Sequence, residues 1–236
     1  MRIGALLILC ISLSFCQKED TGHHSYRYDL WKNMVESGWQ FDLVGTKIDE
    51  WNYPTFMGLV FDANHEGTGG IQTSGILNEL PGVLNSIDTP DVVLIGIGGN
   101  DLTDGGEPVP VPVANINEII DILQSQNPNI FIFLEKIAPL SSEQMTSEFQ
   151  STLNNFNSQI DMIAQGQSDS MSTVIAVDMF SGFNDSHLTS DGIHYNEQGA
   201  KFVADRYYWS MQLHLDQGIS YKILCLGDSR VEGGRN

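Results

Sequence analysis

The chain has 236 residues, 41% of them hydrophobic, and sets 30 acidic side chains against 11 Lys and Arg for a formal charge of −19. That length suits one domain plus a short targeting segment, with enough apolar residues for a substantial core. The acidic excess excludes nucleic acid and anionic membrane surfaces as electrostatic partners and disfavours strongly acidic polymers; its simplest role is solubility.

At the start, Met1-Arg2 and the apolar run 3–15 read as a secretory signal, too short for a comfortable membrane span. The run closes on Leu13-Ser14-Phe15-Cys16, which resembles a bacterial lipobox with Cys16 as the lipidated residue, although Phe15 stands where a small residue is usual. Gln17-Lys18-Glu19-Asp20 resembles the lysine-acid-acid signal of surface-exposed Gram-negative lipoproteins. Two addresses follow, both extracytoplasmic: a lipoprotein at the outer surface of a Gram-negative bacterium, or a secreted protein cleaved nearby. The membrane is then met only through a lipid anchor. Residues 1–16 are the signal with its lipobox, 17–25 a flexible leader holding His23 and His24, and 26–236 a single domain. Of the three cysteines, Cys10 leaves with the signal and Cys225 lies in an apolar run as a small buried hydrophobe, so no disulfide framework remains.

Along the domain, helical stretches at 28–37, 73–84, 115–124, 146–163 and 196–213 alternate with short β-branched or aromatic runs at 41–44, 92–97, 130–134, 174–177 and 223–226. Such alternation predicts an α/β fold, a three-layer α/β/α sandwich around a parallel five-stranded sheet. Trp31, Trp39 and Trp209, on or beside helices, read as packing in the core or against it. Residues 105–112, with two glycines and three prolines, read as a stiff loop, either walling a cleft or simply crossing the surface.

Chemistry concentrates where the apolar runs stop. The run 223–226 ends in Gly227-Asp228-Ser229, which presents a hydroxyl at the C-terminal edge of a strand, where open α/β sheets bind ligands. Ser229 needs a base, and Asp191-Gly192-Ile193-His194 supplies one: His194 can take the proton while Asp191 holds the far ring nitrogen. Gly98-Gly99-Asn100-Asp101 directly follows the run 92–97, and His65-Glu66-Gly67-Thr68-Gly69-Gly70 forms a glycine-rich turn. Alone, each motif is weak, since glycine clusters are ordinary turns and Asp-x-x-His pairs arise by chance. Asp228 reads as an organiser of the turn, and His187 as a loop histidine with no ligand role. No His, Asp or Glu spacing requires a metal, and no cofactor is implied.

Together these four blocks resemble the SGNH (GDSL-type) hydrolases, with the order rearranged: glycine, asparagine, the Asp–His pair, and the serine block last. Joined as a circle, the chain runs Ile223-Leu224-Cys225-Leu226-Gly227-Asp228-Ser229, a short loop, Tyr26-Arg27-Tyr28-Asp29-Leu30-Trp31, then Gln40-Phe41-Asp42-Leu43-Val44-Gly45. In that cyclic order residues 26–236 resemble the acetylxylan esterases of carbohydrate esterase family 3. The resemblance implies a flavodoxin-like sheet in circularly permuted order. It also implies an oxyanion hole from the backbone N–H groups of Ser229 and Gly70 (one register ahead of Gly69) and the Asn100 amide, with hydrogen-bonding roles for His65 and Glu66. Permutation suits domains whose ends lie close together in exposed loops, and only the residues beyond Ser229 read as dispensable for folding.

The implied activity is removal of O-acetyl groups from carbohydrate, an acetylated polysaccharide or oligosaccharide, by a Ser–His–Asp mechanism. Trp51 and Tyr53 are candidates for stacking on sugar rings. The alternatives are a general short-chain esterase, lysophospholipase or thioesterase of the same fold, or a non-catalytic surface glycan-binding lipoprotein. Thr68, Thr73, Thr103 and Asp104, flanking the blocks, favour a polar cleft over a greasy trough, and the intact Ser229, His194, Asp191 and Asn100 favour an enzyme.

Overall fold

The structure, a computed structural model, describes residues 25–233. The signal, Cys16 and most of the leader lie outside the described residues. Ser25 does not continue a leader: it is buried and caps the first helix by accepting from the Arg27 N–H.

Helix α1 (Tyr26–Glu36) leads into β1 (Gln40–Val44), followed by the short strands β2 (Lys47–Ile48) and β3 (Asn64–Gly67) and by α2 (Thr73–Leu84). Strand β4 (Val92–Gly96) is followed by a single turn α3 (Gly99–Leu102), the longer α4 (Pro110–Gln126), then β5 (Phe131–Lys136) and α5 (Ser147–Gln167). Strand β6 (Thr173–Asp178), α6 (Glu197–His214), β7 (Ser220–Gly227) and the turn α7 (Ser229–Glu232) complete the chain. Apolar strands buried on both faces, such as Val92–Ile95 at 0% exposure, need helices on both sides. Two core clusters meet that need, one containing α1 and α6 residues and the other α2, α4 and α5 residues.

The five expected strands are present, but the sheet has seven, in the order β2-β3-β7-β4-β5-β6 with β1 also paired to β7. The two additions are short and polar, so no alternating apolar pattern marks them. The last strand is central. It pairs in parallel with β1 (Gln40↔Ser220 to Val44↔Leu224), then with β3 (Glu66↔Leu226), and along its other edge with β4 (Val92↔Ile223 to Gly96↔Gly227).

Three further readings change. Helix α4 begins at Pro110, because proline is well accommodated in a first helical turn, so the stiff loop is shorter than residues 105–112. Trp31 and Trp39 are buried, but Trp209 is 57% exposed on α6 and is not a core residue. The residues just beyond Ser229 are tied into the core and not loose: the buried Arg27 guanidinium donates to the carbonyls of Val231 (3.0 Å) and Glu232 (2.9 Å). A methyl group added at Gly233 would come within 2.5 Å of the Ser25 side chain, so the two ends of the described chain touch.

Candidate active site

The C-terminal ends of β3, β4, β6 and β7 carry the four sequence blocks to one edge of the sheet. At the end of β7, Gly227 packs so closely that an added methyl would lie 2.0 Å from the Gly96 carbonyl oxygen, so only glycine lets these two strands meet. The Asp228 carboxylate then caps α7 by accepting from the Arg230 N–H at 2.9 Å, and Ser229 opens that turn. Burial raises the Asp228 carboxyl above its usual range, opposed by Arg230. The aspartate therefore shapes the turn, as its position suggested.

After β6, a 3-10 turn at Asp185–His187 leads to a narrow loop closed by the Leu188↔Tyr195 bridge and the Thr189 N–H to His194 carbonyl bond at 2.8 Å. Gly192 sits at φ +73 inside it, a conformation that other residues rarely adopt. This turn folds Asp191 onto His194. Asp191 Oδ1 accepts from the backbone N–H groups of Ile193 (2.8 Å) and His194 (2.9 Å), and Oδ2 lies 2.7 Å from His194 Nδ1. Partial burial works against ionisation here, yet these donors and the Thr189 hydroxyl outweigh it and hold Asp191 well below the usual carboxylate range. An ionised carboxylate only accepts, so the proton is on Nδ1. His194 Nε2 is then the acceptor for the Ser229 hydroxyl, 2.9 Å away.

Asn100 and Gly70 line the same cleft as Ser229 and His194. The Asn100 amide nitrogen gives one hydrogen to the Ile71 carbonyl at 2.9 Å; it carries two, so a second is available to a ligand. Its neighbour Asp101, 1% exposed, accepts from the Thr73 N–H and hydroxyl, tying the β4 edge to the start of α2.

His65 and Glu66 are structural. His65 Nδ1 accepts from the Gly67 N–H at 2.9 Å, and burial pushes the ring down to about 3, so it stays neutral. Glu66 accepts from the Thr46 N–H and hydroxyl at 2.9 and 2.7 Å. His187 takes the Asn184 N–H at 3.0 Å and packs on Phe183 and Phe202. Tyr53 stacks on Tyr28 at 4.5 Å between ring centres, and its hydroxyl bonds Asp49 and the Ser25 N–H. Neither Tyr53 nor Trp51 is among the residues lining the cleft that holds Ser229. Burial pushes the Cys225 thiol up to about 11, leaving it an inert core group. Among the described residues no group of three or more His, Cys, Asp and Glu side chains is placed to hold a metal ion.

Arg230 escaped the sequence reading. Its Nε–H reaches the Ile193 carbonyl and its Nη1 the Ala138 carbonyl, both at 3.0 Å, while the guanidinium sits 5.1 Å from the Tyr195 ring centre. It thus braces Ser229's turn against the loop that carries His194. The cleft wall was also misread. Of the four flanking polar residues only Thr103 and Asp104 line it, and Leu102, Ile137, Leu140, Phe149 and Leu153 make its wall largely apolar.

Comparison with known proteins agrees with this architecture. The sequence model of the GDSL-like lipase/acylhydrolase family matches residues 20–207, a stretch containing Gly70, Asn100, Asp191 and His194 and ending before β7. A carbohydrate esterase family 3 structure from Talaromyces cellulolyticus superposes with a TM-score of 0.72 at 26% identity, over 80% of this chain and 90% of that one. The family 3 carbohydrate esterase of Clostridium thermocellum gives 0.66 at 26% identity, over 81% and 88%. A multidomain esterase of Ruminococcus flavefaciens is 25% identical in a 223-residue alignment that covers 86% of this chain and 27% of that relative's length.

Proposed function

This chain belongs to the GDSL-like lipase/acylhydrolase family, and from that premise we propose that it is a serine ester hydrolase removing O-acetyl groups from carbohydrate. The observation carrying the reading is the hydrogen-bonded series Ser229 Oγ, His194, Asp191, with spacings of 2.9 and 2.7 Å in an open cleft. In the first step Ser229 Oγ bonds the ester carbonyl carbon as His194 Nε2 takes the hydroxyl proton, and Asp191 stabilises the imidazolium. The developing oxyanion is met by the N–H groups of Ser229 and Gly70 and by the Asn100 amide. The C–O bond to the alcohol then breaks, and His194 returns the proton to the departing sugar oxygen. Water repeats the sequence on the acyl-enzyme, releasing the carboxylic acid and restoring Ser229.

Acetylated polysaccharide or oligosaccharide is the substrate that the family 3 neighbours favour. The test is acetate release from a panel of acetylated polysaccharides by the wild type and by Ser229→Ala. Loss of several orders of magnitude in a folded Ser229→Ala protein is expected; comparable acetate release by both would exclude the mechanism.

Two further features accompany this activity. The family order is circularly rearranged in this chain, which is supported by the contact between Gly233 and Ser25 and by a family match that stops before β7. A variant starting at Ser220, with Asn236 linked to the segment before Ser25, should fold and act like the original; an inactive, unfolded product would count against it. Delivery outside the cytoplasm on a lipid at Cys16 is the second, and Cys16→Ser should release soluble enzyme, whereas an unlipidated wild-type N-terminus would exclude the anchor.

A further inference from the structure

Beside the cleft at Ser229 lies a second cavity, of about 360 Å³, over β2 and β3. Its lining includes Lys47, Asp49, Glu50 and His65, and it shares Glu232 and Gly233 with the Ser229 cleft. None of the reacting groups lines it, so the chemistry at Ser229 gives it no task. Its size falls at the lower end of what small-ligand sites occupy, room for about one or two sugar rings.

One group on its wall is set to donate. His65 is 3% exposed, and its Nδ1 already accepts the Gly67 N–H at 2.9 Å. A neutral ring that accepts there carries its proton on Nε2, and no described group bonds that nitrogen. Burial, with Arg27 and Lys47 nearby, keeps the ring neutral, so the donor persists at physiological pH. Such a donor, left unmet in a buried wall, is costly until a ligand or water accepts from it. The charged wall groups are compensated instead: Lys47 faces Glu66 at 3.4 Å, and Asp49 faces Arg27 at 2.8 Å. They offer hydrogen bonds with little net charge, while the exposed Glu50 carboxylate repels anions. An uncharged, hydroxyl-bearing ligand suits that set, and a uronate or a phosphate does not.

We propose that this cavity is a subsite on the alcohol side of the ester, holding an uncharged sugar residue of the acetylated glycan, with His65 Nε2–H donating to one of its oxygens. It rests on Ser229 acting on a carbohydrate ester, and it adds a preference: neutral glycans over those rich in uronic acid. The acetyl group enters the Ser229 cleft, and the glycan crosses Glu232 and Gly233 to reach the cavity. No covalent step takes place there, so His65 acts on binding and substrate choice and not on bond making.

The experiment is calorimetry on Ser229→Ala with two deacetylated probes, xylotriose, which is neutral, and trigalacturonate, which is anionic. Xylotriose should bind roughly tenfold more tightly; equal, reversed or undetectable binding overturns the subsite. Because this reads binding alone, it decides the cavity's role even if the wild type hydrolyses no acetyl ester, a result that would remove the proposed function by itself. A second arm uses His65→Asn, whose side-chain oxygen can still take the Gly67 N–H as Nδ1 does, while the Nε2–H donor is lost. The ratio of kcat/KM for acetylated xylotriose to that for ethyl acetate should then fall roughly fivefold. Equal loss on both esters, or none on either, would leave His65 a purely structural residue and sink its assignment. Glu50→Lys, at an exposed position, should raise trigalacturonate affinity relative to xylotriose roughly fivefold; an unchanged preference counts against the subsite.

Discussion

Arg27 on the first helix donates its Nε–H to the carbonyl of Val231 on the last, at 3.0 Å, across 204 residues of sequence. The same guanidinium reaches Glu232 and Ala63 carbonyls and pairs with Asp49 at 2.8 Å, all with its own side chain fully buried. One side chain therefore joins the start of the domain to the turn that presents Ser229.

Arg27→Leu removes those donors and leaves the buried Asp49 without its cation. Breaking a buried pair from one side costs about 3–5 kcal/mol, which for a domain of this size lowers the thermal midpoint on the order of 10 °C. Calorimetric melting checks this. A drop of a degree or two would mean that solvent replaces the guanidinium.

Arg230 holds two carbonyls, those of Ile193 and Ala138, from the residue next to Ser229. Arg230→Lys keeps the charge but cannot span both, since a point-like ammonium lacks the planar fork. Displacing His194 from Ser229 by even part of an ångström should lower kcat about 10- to 100-fold with little change in KM. A change confined to KM would instead make Arg230 a substrate-binding group.

Asn100→Ala removes one proposed oxyanion donor while leaving the Ser229–His194–Asp191 series in place. Turnover should fall about 10²- to 10³-fold, with KM nearly constant, because the interaction matters mainly in the transition state. Steady-state kinetics on a short-chain ester separate the two parameters.

Glu135 on β5 is 5% exposed and accepts from the Tyr207 hydroxyl at 2.7 Å. Burial, opposed by that hydrogen bond, pushes its carboxyl from the usual 4.5 up to about 7. Between those values the folded protein holds a proton that the unfolded chain has lost. The stability from neutral Glu135 is therefore full below about 4.5 and disappears as pH rises toward 7. Glu135→Gln stays neutral and still accepts from Tyr207, so it should raise the thermal midpoint at pH 8 and change it little at pH 4. Equal shifts at both pH values would separate its effect from proton binding.

Truncation tests the placement of the last strand. Removing residues 221–236 deletes the strand between β1 and β4 and should leave an aggregating chain with unpaired sheet edges. Removing 232–236 takes away the Glu232 carbonyl and the Gly233 packing on Ser25, so the product should fold but melt lower. A native-like melt after the larger deletion would contradict the central position of β7.

What could be read beforehand followed from physical signals of different strength. Long apolar runs marked β4, β5 and β7, the first and last of them ending in glycine, because strands buried on both faces have little choice of residue. Asn196 before α6 and Thr146 before α5 are side-chain caps, so those helix starts were legible too. Strand β3, Asn-His-Glu-Gly, has no apolar pattern and is held by its neighbours. Arg27 and Arg230 look like surface cations in sequence, and only their carbonyl partners reveal them. The apolar wall of the cleft also had a sequence signal, Ile137-Ala138-Pro139-Leu140, an apolar stretch continuing past the end of a strand into a loop.

Because β7 follows every other described strand in sequence, a nascent chain that stops short of Ser220 contains β1 and β4 with an empty slot between them. The domain cannot close around its sheet until β7 is available, whereas most domains begin to fold from the N-terminal side as they emerge. Ribosome-bound chains halted before Ser220 are accordingly expected to be cut by protease throughout, and resistance should arrive in a single step as the final strand clears the tunnel.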